Sequence, residues 1–262
     1  MGLVLPAGYL KKIIKQQDYL IYMFPSFDES SVDKIKGIKI PKVMSLLLAE
    51  DVGFHVGDGH MKIEDNGWGT KYRFSYSGDS RYDKDYFQNV LIPRKKELFN
   101  ISTDFREFKN VNAIEVRFSS KKLVLFYKFL GIPDGKKTNV NIPERILGGS
   151  LEIKKAFLRG LADSDFGLSL KNRPNGIYPV LGFASISELL RDQVNSLLKK
   201  KGFNTTAYIK TYYDLRVKKQ LTTFAFDLNG KTQLEKWMDK IGFSNKKHLN
   251  RYNKWARADS NR

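Results

Sequence analysis

The sequence contains no cysteine and only three histidines among its 262 residues. These absences exclude disulfides and thiolate zinc sites, and they leave little material for a histidine-based metal centre. The apolar runs are too short to span a bilayer, and no small-residue cleavage site follows an apolar N-terminus. Acidic residues are also few, since 28 stand against 46 lysines and arginines, for a formal charge of +18. We therefore expect an intracellular protein (cytoplasm, nucleoid or organelle) that is not secreted, does not enter a membrane and binds a polyanion such as nucleic acid.

The pattern that organises the chain is LEIKKAFLRGLADSDFG, residues 151–167. Its apolar and small residues recur at i, i+3, i+4, i+7, i+8 and i+11, which predicts one face of an α-helix. Gly160 and Ser164 leave one side of this helix almost bare. Because glycine inside a helix costs about 1 kcal/mol relative to alanine, a second backbone packed closely against it is the simplest explanation. The helix ends in two carboxylates, Asp163 and Asp165.

A second copy of this pattern lies 107 residues upstream, in MSLLLAEDVGFHVGDGH. Five of its six positions keep an apolar or small residue, including Gly53 and Gly57, and Glu50 is the exception. Asp58 takes the place of Asp165. Two such helices packed in parallel through their bare stripes would bring Asp58 and Asp165 side by side. Neighbouring carboxylates repel unless a cation lies between them, so we expect a divalent ion, most simply Mg²⁺ bound by hard oxygen ligands.

The two patterns, GFHVGDG at residues 53–59 and LRGLADSD at residues 158–165, resemble the motifs of a LAGLIDADG homing endonuclease. The resemblance is to the single-chain, two-motif form of archaeal or intron-encoded type, and it covers about residues 40–245. It implies an α+β fold of two pseudo-twofold αββαββα repeats, whose antiparallel sheets form a DNA-binding saddle. The repeats would pack through the bare stripes of the motif helices, at Gly53, Gly57, Gly160 and Ser164.

The rest of the sequence supports a duplication. Each half is predicted to run helix, two strands, helix, two strands, helix. The apolar residues and closing glycine of the last predicted helix, residues 123–131, recur 111 residues later at 234–242. Identical spacing in two places is hard to obtain by chance. We therefore divide the chain into an N-terminal extension of unclear role, a first repeat, a second repeat and a basic tail, at residues 1–41, 42–142, 143–245 and 246–262.

Three local expectations follow from the same reading. Residues 9–24 are predicted to form a basic amphipathic helix; a packed extension is its simplest role, and a DNA-contacting arm or a remnant of an upstream reading frame is left open. Ser185 is predicted to cap the helix that follows it. Phe166 stands where the motif usually has glycine, and a left-handed phenylalanine would be strained. We therefore expect the turn to shift onto Gly167, which would displace Asp165 and weaken the second site.

The resemblance also implies a catalytic site at the centre of the saddle, with one catalytic aspartate in each half. The cation would be Mg²⁺, with Mn²⁺ as a substitute. Its ligands would be two carboxylates and two backbone carbonyls, those of Asp58, Asp165, Gly57 and Ser164. The family places a lysine at the end of a late strand in each half, and the candidates here are Lys121 and Lys231. The other interpretation of each lysine is an ordinary surface residue at a helix N-terminus.

Strand alternation predicts the surface that would contact DNA. Basic and polar residues alternate with aromatic ones, so one face of each sheet would be cationic and could lie along a major groove. The predicted contacts are Lys71, Arg73, Ser75, Arg117, Lys171, Arg173, Lys210, Arg216, Lys218 and Lys219. Each could instead be a solvated surface charge. The expected partner is double-stranded DNA, with intron RNA as a further candidate, and one chain with two halves is expected to act as a monomer.

Together these features predict a site-specific DNA endonuclease that makes a metal-dependent double-strand cut at a long target by phosphodiester hydrolysis. The alternative is a DNA- or RNA-binding protein of the same fold without cleavage, such as an intron maturase or a regulator. A glycosidase using two aspartates as acid and base, or a purely structural basic protein, explains fewer of these residues. The target sequence and the host element (an intron, an intein or a free-standing gene) stay open, although the lack of cysteine disfavours an intein.

Overall fold

The computed structural model describes four stretches of the chain, residues 13–16, 19–174, 176–215 and 218–260. The first half begins with β1 (Ile13–Gln16), β2 (Tyr19–Tyr22), α1 (Ser31–Lys36) and the motif helix α2 (Leu46–Gly57). It continues with β3 (Gly59–Asp65), β4 (Thr70–Asp79), α3 (Lys84–Tyr86), a π-helical turn (Phe87–Leu91) and α4 (Ile92–Phe99). It ends with β5 (Phe105–Phe108), a 3-10 turn (Lys109–Val111), β6 (Ala113–Ser119) and α5 (Lys121–Phe129).

The second half repeats this order after the short helix α6 (Glu144–Leu147). The second motif helix α7 (Leu151–Asp165) leads into β7 (Phe166–Arg173), β8 (Gly176–Ser185) and α8 (Glu188–Lys200). There follow β9 (Thr205–Asp214), β10 (Lys219–Asn229), α9 (Lys231–Lys240) and a C-terminal helix, α10 (Lys246–Ser260). Within these ranges no helix is long and apolar enough to cross a membrane.

Each half builds a four-stranded antiparallel sheet with the same strand order. The first sheet runs β3-β4-β6-β5 and the second runs β7-β8-β10-β9. The first strand of each sheet follows directly on a motif helix, so the helix ends are placed next to a sheet edge. The predicted α+β fold of two αββαββα repeats is confirmed.

Strand alternation explains how the sheets divide core from surface. In β4 the side chains of Phe74 and Tyr76 are buried, whereas Ser75 between them and Arg73 before them are not. Phe183 and Phe226 lie opposite each other in the second sheet and are also buried. Because successive side chains point to opposite sides of a strand, the aromatic face packs on the helices and the polar face stays outside.

Two local expectations about secondary structure are wrong. Residues 9–24 do not form one helix, because β1 and β2 pair there as an antiparallel hairpin. β-Branched and aromatic residues such as those in IIKQ and YLIY favour strands, and this preference outweighs the helical spacing. The cap of α8 is Ser187 rather than Ser185, since its hydroxyl accepts the N–H of Leu190 at 3.2 Å.

The flanking segments pack on the repeats. Phe24 makes edge contacts with Phe126 on α5, at a ring distance of 5.0 Å. At the other end, α10 lies on the second sheet, and buried Trp255 donates its indole N–H to the Ile177 carbonyl at 3.2 Å. The basic tail is therefore a helix with one apolar side docked on β7 and β8.

Candidate active site

The two motif helices touch through their backbones. A Cβ placed on Gly160 would lie 1.9 Å from the carbonyl oxygen of Glu50, and one on Gly53 would lie 2.1 Å from that of Phe157. Glu50 and Phe157 are themselves equivalent positions of the two motifs, so the contact is reciprocal. Such distances admit no side chain, which explains why two helix interiors carry glycine despite its lower helix propensity.

The same packing brings the two motif aspartates together. Asp58 caps α2, and Asp165 is the last residue of α7. A Cβ on Gly57 would lie 1.9 Å from the Ser164 hydroxyl oxygen and 3.0 Å from the Asp165 carboxyl carbon. The Asp165 carboxylate therefore lies against the end of the opposite helix. The Ser164 hydroxyl is turned back and donates to the Leu161 carbonyl at 2.9 Å.

Burial makes these carboxylates weak acids. Burial and the nearby carboxylate of Asp83 together raise the pKa of Asp58 to about 6, against the opposing charge of Lys247. Burial also raises the pKa of Asp165 to about 7, with a further contribution from the charge of Asp58. Two neighbouring buried carboxylates resist simultaneous ionisation unless enough positive charge lies between them. A divalent cation would supply that charge.

Two lysines face the carboxylate pair. The ammonium of Lys137 donates to the carbonyls of Val56 at 2.8 Å and His55 at 3.3 Å, and also to that of Gly57. The ammonium of Lys247, at the start of α10, pairs with Asp83 at 2.8 Å, and its charge lowers the pKa of both Asp58 and Asp165. Burial lowers the pKa of Lys137, while Asp165 and Asp58 act in the opposite direction. An ammonium thus already lies at the C-terminal carbonyls of α2, where cations are stabilised.

The lysines predicted from the sequence lie elsewhere. Lys121 faces Asp28 at 3.6 Å, and Lys231 pairs with Asp259 at 2.7 Å. Neither acts on the Asp58–Asp165 pair, whose pKa values respond to Lys137 and Lys247 instead. The sequence does contain a signal for Lys137 and Lys247, because the similarity between the two halves continues past the glycines that follow α5 and α9. The two continuations read GIPDGKK and GFSNKK, and their last lysines are residues 137 and 247.

Residues 152–242 match the family described as LAGLIDADG-like domain. The fold is similar to that of I-DmoI in complex with DNA and Ca, with a TM-score of 0.56 at 18% identity over 80% of this chain and 98% of that one. I-DmoI with DNA and Mn gives 0.54 at 20% identity, over 76% and 97%. The second half of this chain therefore contains a LAGLIDADG-like domain. The fold is also similar to that of the meganuclease I-SmaMI bound to uncleaveable DNA, with a TM-score of 0.50 at 14% identity over 81% of this chain and 90% of that one.

Three curated proteins that match this chain carry two different names. They include the tRNA-splicing ligase RtcB of Methanopyrus kandleri, 26% identical over 78% of this chain and 21% of that protein. The RtcB of Pyrococcus abyssi is 25% identical over 91% and 29%. The replication factor C small subunit of Methanocaldococcus jannaschii is 26% identical over 77% and 10%. The chain spans less than a third of the length of each of these relatives.

The second LAGLIDADG motif tolerates Phe166 without a left-handed turn. Phe166 is extended, with φ −89° and ψ 145°, and it starts β7 directly after Asp165. The expectation that the turn shifts onto Gly167 is therefore wrong. In the first motif the equivalent Gly59 is required because a Cβ there would lie 2.2 Å from the imidazole of His55. The second motif has Ala162 in place of that histidine, which leaves room for the phenylalanine ring.

Glu50, the misfit in the apolar pattern, belongs to a buried polar layer between the halves. Its carboxylate pairs with Arg94 at 2.5 Å and accepts from the Ser244 hydroxyl at 2.7 Å. Next to it, Asp163 accepts the backbone N–H groups of Ser244 and Asn245, both at 2.9 Å. Burial raises the pKa of Asp163 to about 7, although these hydrogen bonds oppose the shift. This layer fixes the segment that carries Lys247 to the end of α7.

A second buried network lies behind α2 in the first half only. Lys95 is fully buried, and its ammonium contacts Asp51 at 2.8 Å and the Tyr76 hydroxyl at 2.7 Å. The imidazole of His55 lies 2.8 Å from the same hydroxyl. Tyr127 donates its hydroxyl to Asp51. The corresponding positions of the second half include Leu158, Ala162, Phe183 and Met238, so the two cores differ in chemistry although their backbones repeat.

The outer face of each sheet carries most of the predicted DNA contacts. In the first sheet Ser75 lies opposite Arg117, and Arg73 lies opposite Lys62, so these polar residues form rows across the strands. Arg73 and Arg117 are held by Glu64 and Glu115, at 2.8 and 2.7 Å. The exposed basic residues that share these faces are Lys71, Arg73, Arg117, Lys171, Arg173 and Lys210.

The second sheet adds aromatic rings to its basic face. The guanidinium of Arg173 lies 4.2 Å from the ring centre of Tyr178, and the ammonium of Lys210 lies 5.6 Å from that of Tyr212. At the tip of the β9–β10 hairpin, Lys218 has a left-handed backbone with φ 50°, and Lys219 begins β10. Arg216 lies outside the described residues. The two sheet faces are therefore both basic but differ in composition.

Proposed function

We propose that this chain is a site-specific DNA endonuclease that hydrolyses one phosphodiester bond in each strand of a long duplex target. The observation that carries the proposal is the apposition of Asp58 and Asp165 at the ends of two helices whose backbones touch. The fold it shares with I-DmoI and I-SmaMI, whose structures contain DNA, supports the same activity. The net charge of +18 also suits binding to the negatively charged phosphates of DNA.

The residues at the site fit a divalent cation. The donors are two buried carboxylates with raised pKa values and the Gly57 carbonyl, which an ammonium already contacts. No cluster of three or more histidine, cysteine or acidic side chains suited to a metal occurs among the described residues. Mg²⁺ commonly uses only one or two carboxylates together with substrate phosphates. We therefore propose Mg²⁺, with Mn²⁺ as a substitute, held by Asp58, Asp165 and the backbone carbonyls of Gly57 and Ser164.

The two aspartates and the two lysines of the site would have different roles in catalysis. Asp58 and Asp165 hold the site at the junction of the two halves, so each is assigned to the cut of one strand. A bound divalent cation would polarise the phosphoryl group and lower the pKa of an attacking water. Lys137 and Lys247 place positive charge beside the phosphate, where it stabilises negative charge that develops in the transition state. We propose these two lysines in place of Lys121 and Lys231.

The outer sheet faces would bind the duplex on both sides of the cut. Phosphate contacts from lysine and arginine supply most of the affinity, and contacts to base edges supply the selectivity. Arg73 and Arg117, already oriented by neighbouring glutamates, suit bidentate contacts with guanine. We propose the ten predicted contact residues for this role, Arg216 among them. Because one chain contains both halves of the site, we also propose that it acts as a monomer.

The test is cleavage of a plasmid library with randomised sites in Mg²⁺ and in Mn²⁺. Asp58→Asn and Asp165→Asn are the active-site variants, and Asp239→Asn, on the exposed side of α9, is the matched control. Double-strand cuts at one long site, lost in both active-site variants and kept in the control, would establish the endonuclease. Tight DNA binding with no cut in either metal would refute it. That outcome favours the non-cleaving alternative, and intron RNA splicing would then be assayed.

A further inference from the structure

Asp83 links the two halves of the molecule beside the candidate active site. It lies in the turn between β4 and α3, and its side chain is only 14% exposed. One carboxylate oxygen accepts from the Lys247 ammonium at 2.8 Å and from the Asn245 side-chain amide at 3.2 Å. The other accepts the backbone N–H of Asp79 at 3.1 Å. Both oxygens are thus held, one by the second half and one by the first.

The surroundings of Asp83 fix its position. A Cβ on Gly78 would lie 3.0 Å from the Asp83 Cβ and 3.2 Å from its carboxylate, so glycine at the end of β4 is what allows the close approach. On the other side, the Asn245 backbone N–H donates to Asp163 at 2.9 Å. Asp163 lies two residues before Asp165 on α7. The carboxylate of Asp83 is therefore tied into the same buried layer that holds the end of the second motif helix.

The two lysines of the site act most strongly on different aspartates. Among the cations near Asp58, Lys247 opposes the rise in its pKa more than Lys137 does. For Asp165 the order is reversed, and Lys137 comes before Lys247. Lys247 is thus the cation with the larger effect on Asp58, and Lys137 is the one with the larger effect on Asp165. The charge of Asp83 raises the pKa of Asp58 and is not among the charges that shift the pKa of Asp165.

The repeat-related lysines are held by different groups. Lys247 is paired with a carboxylate, whereas Lys137 donates to three backbone carbonyls at the end of α2. Over the described ranges no aspartate or glutamate lies within ion-pair distance of the Lys137 ammonium. The two lysines share a position in the repeat but not a partner, so a change at Asp83 reaches only one of them directly.

We propose that Asp83 is a positioning residue that holds Lys247 in place for the cut of one DNA strand. This inference rests on the proposed endonuclease function and assigns the two strands to unequal lysines. Loss of the Asp83 side chain would release Lys247 from its place beside Asp58. Since a misplacement of about 1 Å can cost a factor of about one hundred in rate, the strand served by Lys247 would be cut slowly. The other strand, served by Lys137, would keep its rate.

The test is strand-resolved cleavage of a duplex labelled differently at its two ends. Asp83→Ala is compared with Asp85→Ala, which removes a neighbouring carboxylate paired with Lys246 at 2.9 Å. With Asp83→Ala we expect kcat for one strand to fall about a hundredfold, while KM stays unchanged. Nicked product should therefore accumulate. Asp85→Ala should cut both strands as the wild type does. Asp83→Asn keeps an acceptor for Lys247 and should restore part of the lost rate.

A second measurement does not depend on cleavage. The side chain of Lys247 is 23% exposed, and that of Lys246 is 63% exposed. Acylation followed by mass spectrometry should show faster labelling of Lys247 in Asp83→Ala, with labelling of Lys246 unchanged. Equal slowing of both strands with a lower Tm would show a purely structural role and overturn the proposal, as would unchanged strand rates and labelling. If the wild-type chain cuts neither strand, the endonuclease function fails, and the strand assignment fails with it; faster labelling would then still show that Asp83 holds Lys247.

Discussion

Replacing Gly160 with alanine should force the two motif helices apart. The new Cβ would lie 1.9 Å from the Glu50 carbonyl oxygen and 2.9 Å from the Phe54 nitrogen. Ordinary van der Waals contact begins at 3.4 Å, so the helices must separate by about 1.5 Å at this point. Both neighbouring atoms belong to the backbone of a buried helix. They cannot rotate away as the end of a flexible side chain would.

The magnitude follows from two opposing effects. Alanine gains about 1 kcal/mol over glycine from helix propensity. Overpacking of a filled core costs about 1–3 kcal/mol, and the upper end applies because the overlap is with backbone. The net loss in the free energy of unfolding is therefore about 2 kcal/mol, which lowers Tm by about 4–8 °C in a chain of this size. A similar displacement at Asp58 and Asp165 would lower the cleavage rate by about a hundredfold.

Calorimetry, urea unfolding and single-turnover cleavage measure these effects. The matched control is Gly167→Ala, two residues beyond α7, where a Cβ would meet no atom within 4 Å. That variant should be as stable as the wild type or more stable by about 0.5–1 kcal/mol. A Gly160→Ala protein with wild-type Tm and a wild-type rate would refute the close backbone contact and the reasoning built on it.

Three further predictions concern lysines and a histidine. Lys137→Ala should lower cleavage by about 10²–10³-fold, whereas Lys121→Ala should retain it, as measured by single-turnover kinetics. Lys95→Met should cost about 3–5 kcal/mol in urea unfolding because buried Asp51 loses its partner, and adding Asp51→Leu should recover much of this. Burial lowers the pKa of His248 from 6.5 to about 3, so only the unfolded chain binds its proton between these values. Stability should fall as pH drops below 6.5, by about 2 kcal/mol at pH 5, and His248→Phe should remove that part of the slope.

The duplication and the close contact of the helices could be predicted because they leave local signatures. A helix whose backbone contacts the backbone of another helix must lack Cβ atoms at the contact, and the glycines at positions 53 and 160 show this in the sequence. Sheet faces follow from alternation, since the strand period is fixed at two. The arrangement of Phe166 could not be predicted, because it depends on the space left by Ala162 where the first motif has His55. That compatibility is a contact between side chains four residues apart in a fold already formed.

The lysines of the site, Lys137 and Lys247, could not be predicted from the local sequence either. Lys121 and Lys231 were predicted from the ends of strands, but a helix N-terminus directs each of them to a different acidic partner. Lys137 and Lys247 come from segments after the closing helices, whose paths are set by long-range contacts. For Lys247 these contacts include Asp83, 164 residues away in the chain. No local pattern states which of many basic residues will meet a carboxylate at that separation.

The sequence by itself determined the duplication, the order of strands and helices within each repeat, the bare helix stripes and the pair of terminal aspartates, because each depends on the spacing of residues along the chain. The tertiary structure decided how the charges are partnered. It placed Glu50 against Arg94, buried Lys95 with Asp51, and gave Lys137 helix carbonyls but Lys247 a carboxylate. Charged groups interact through space and are stabilised only by neighbours within a few ångströms. Which residues become neighbours is known only once the two halves have packed together.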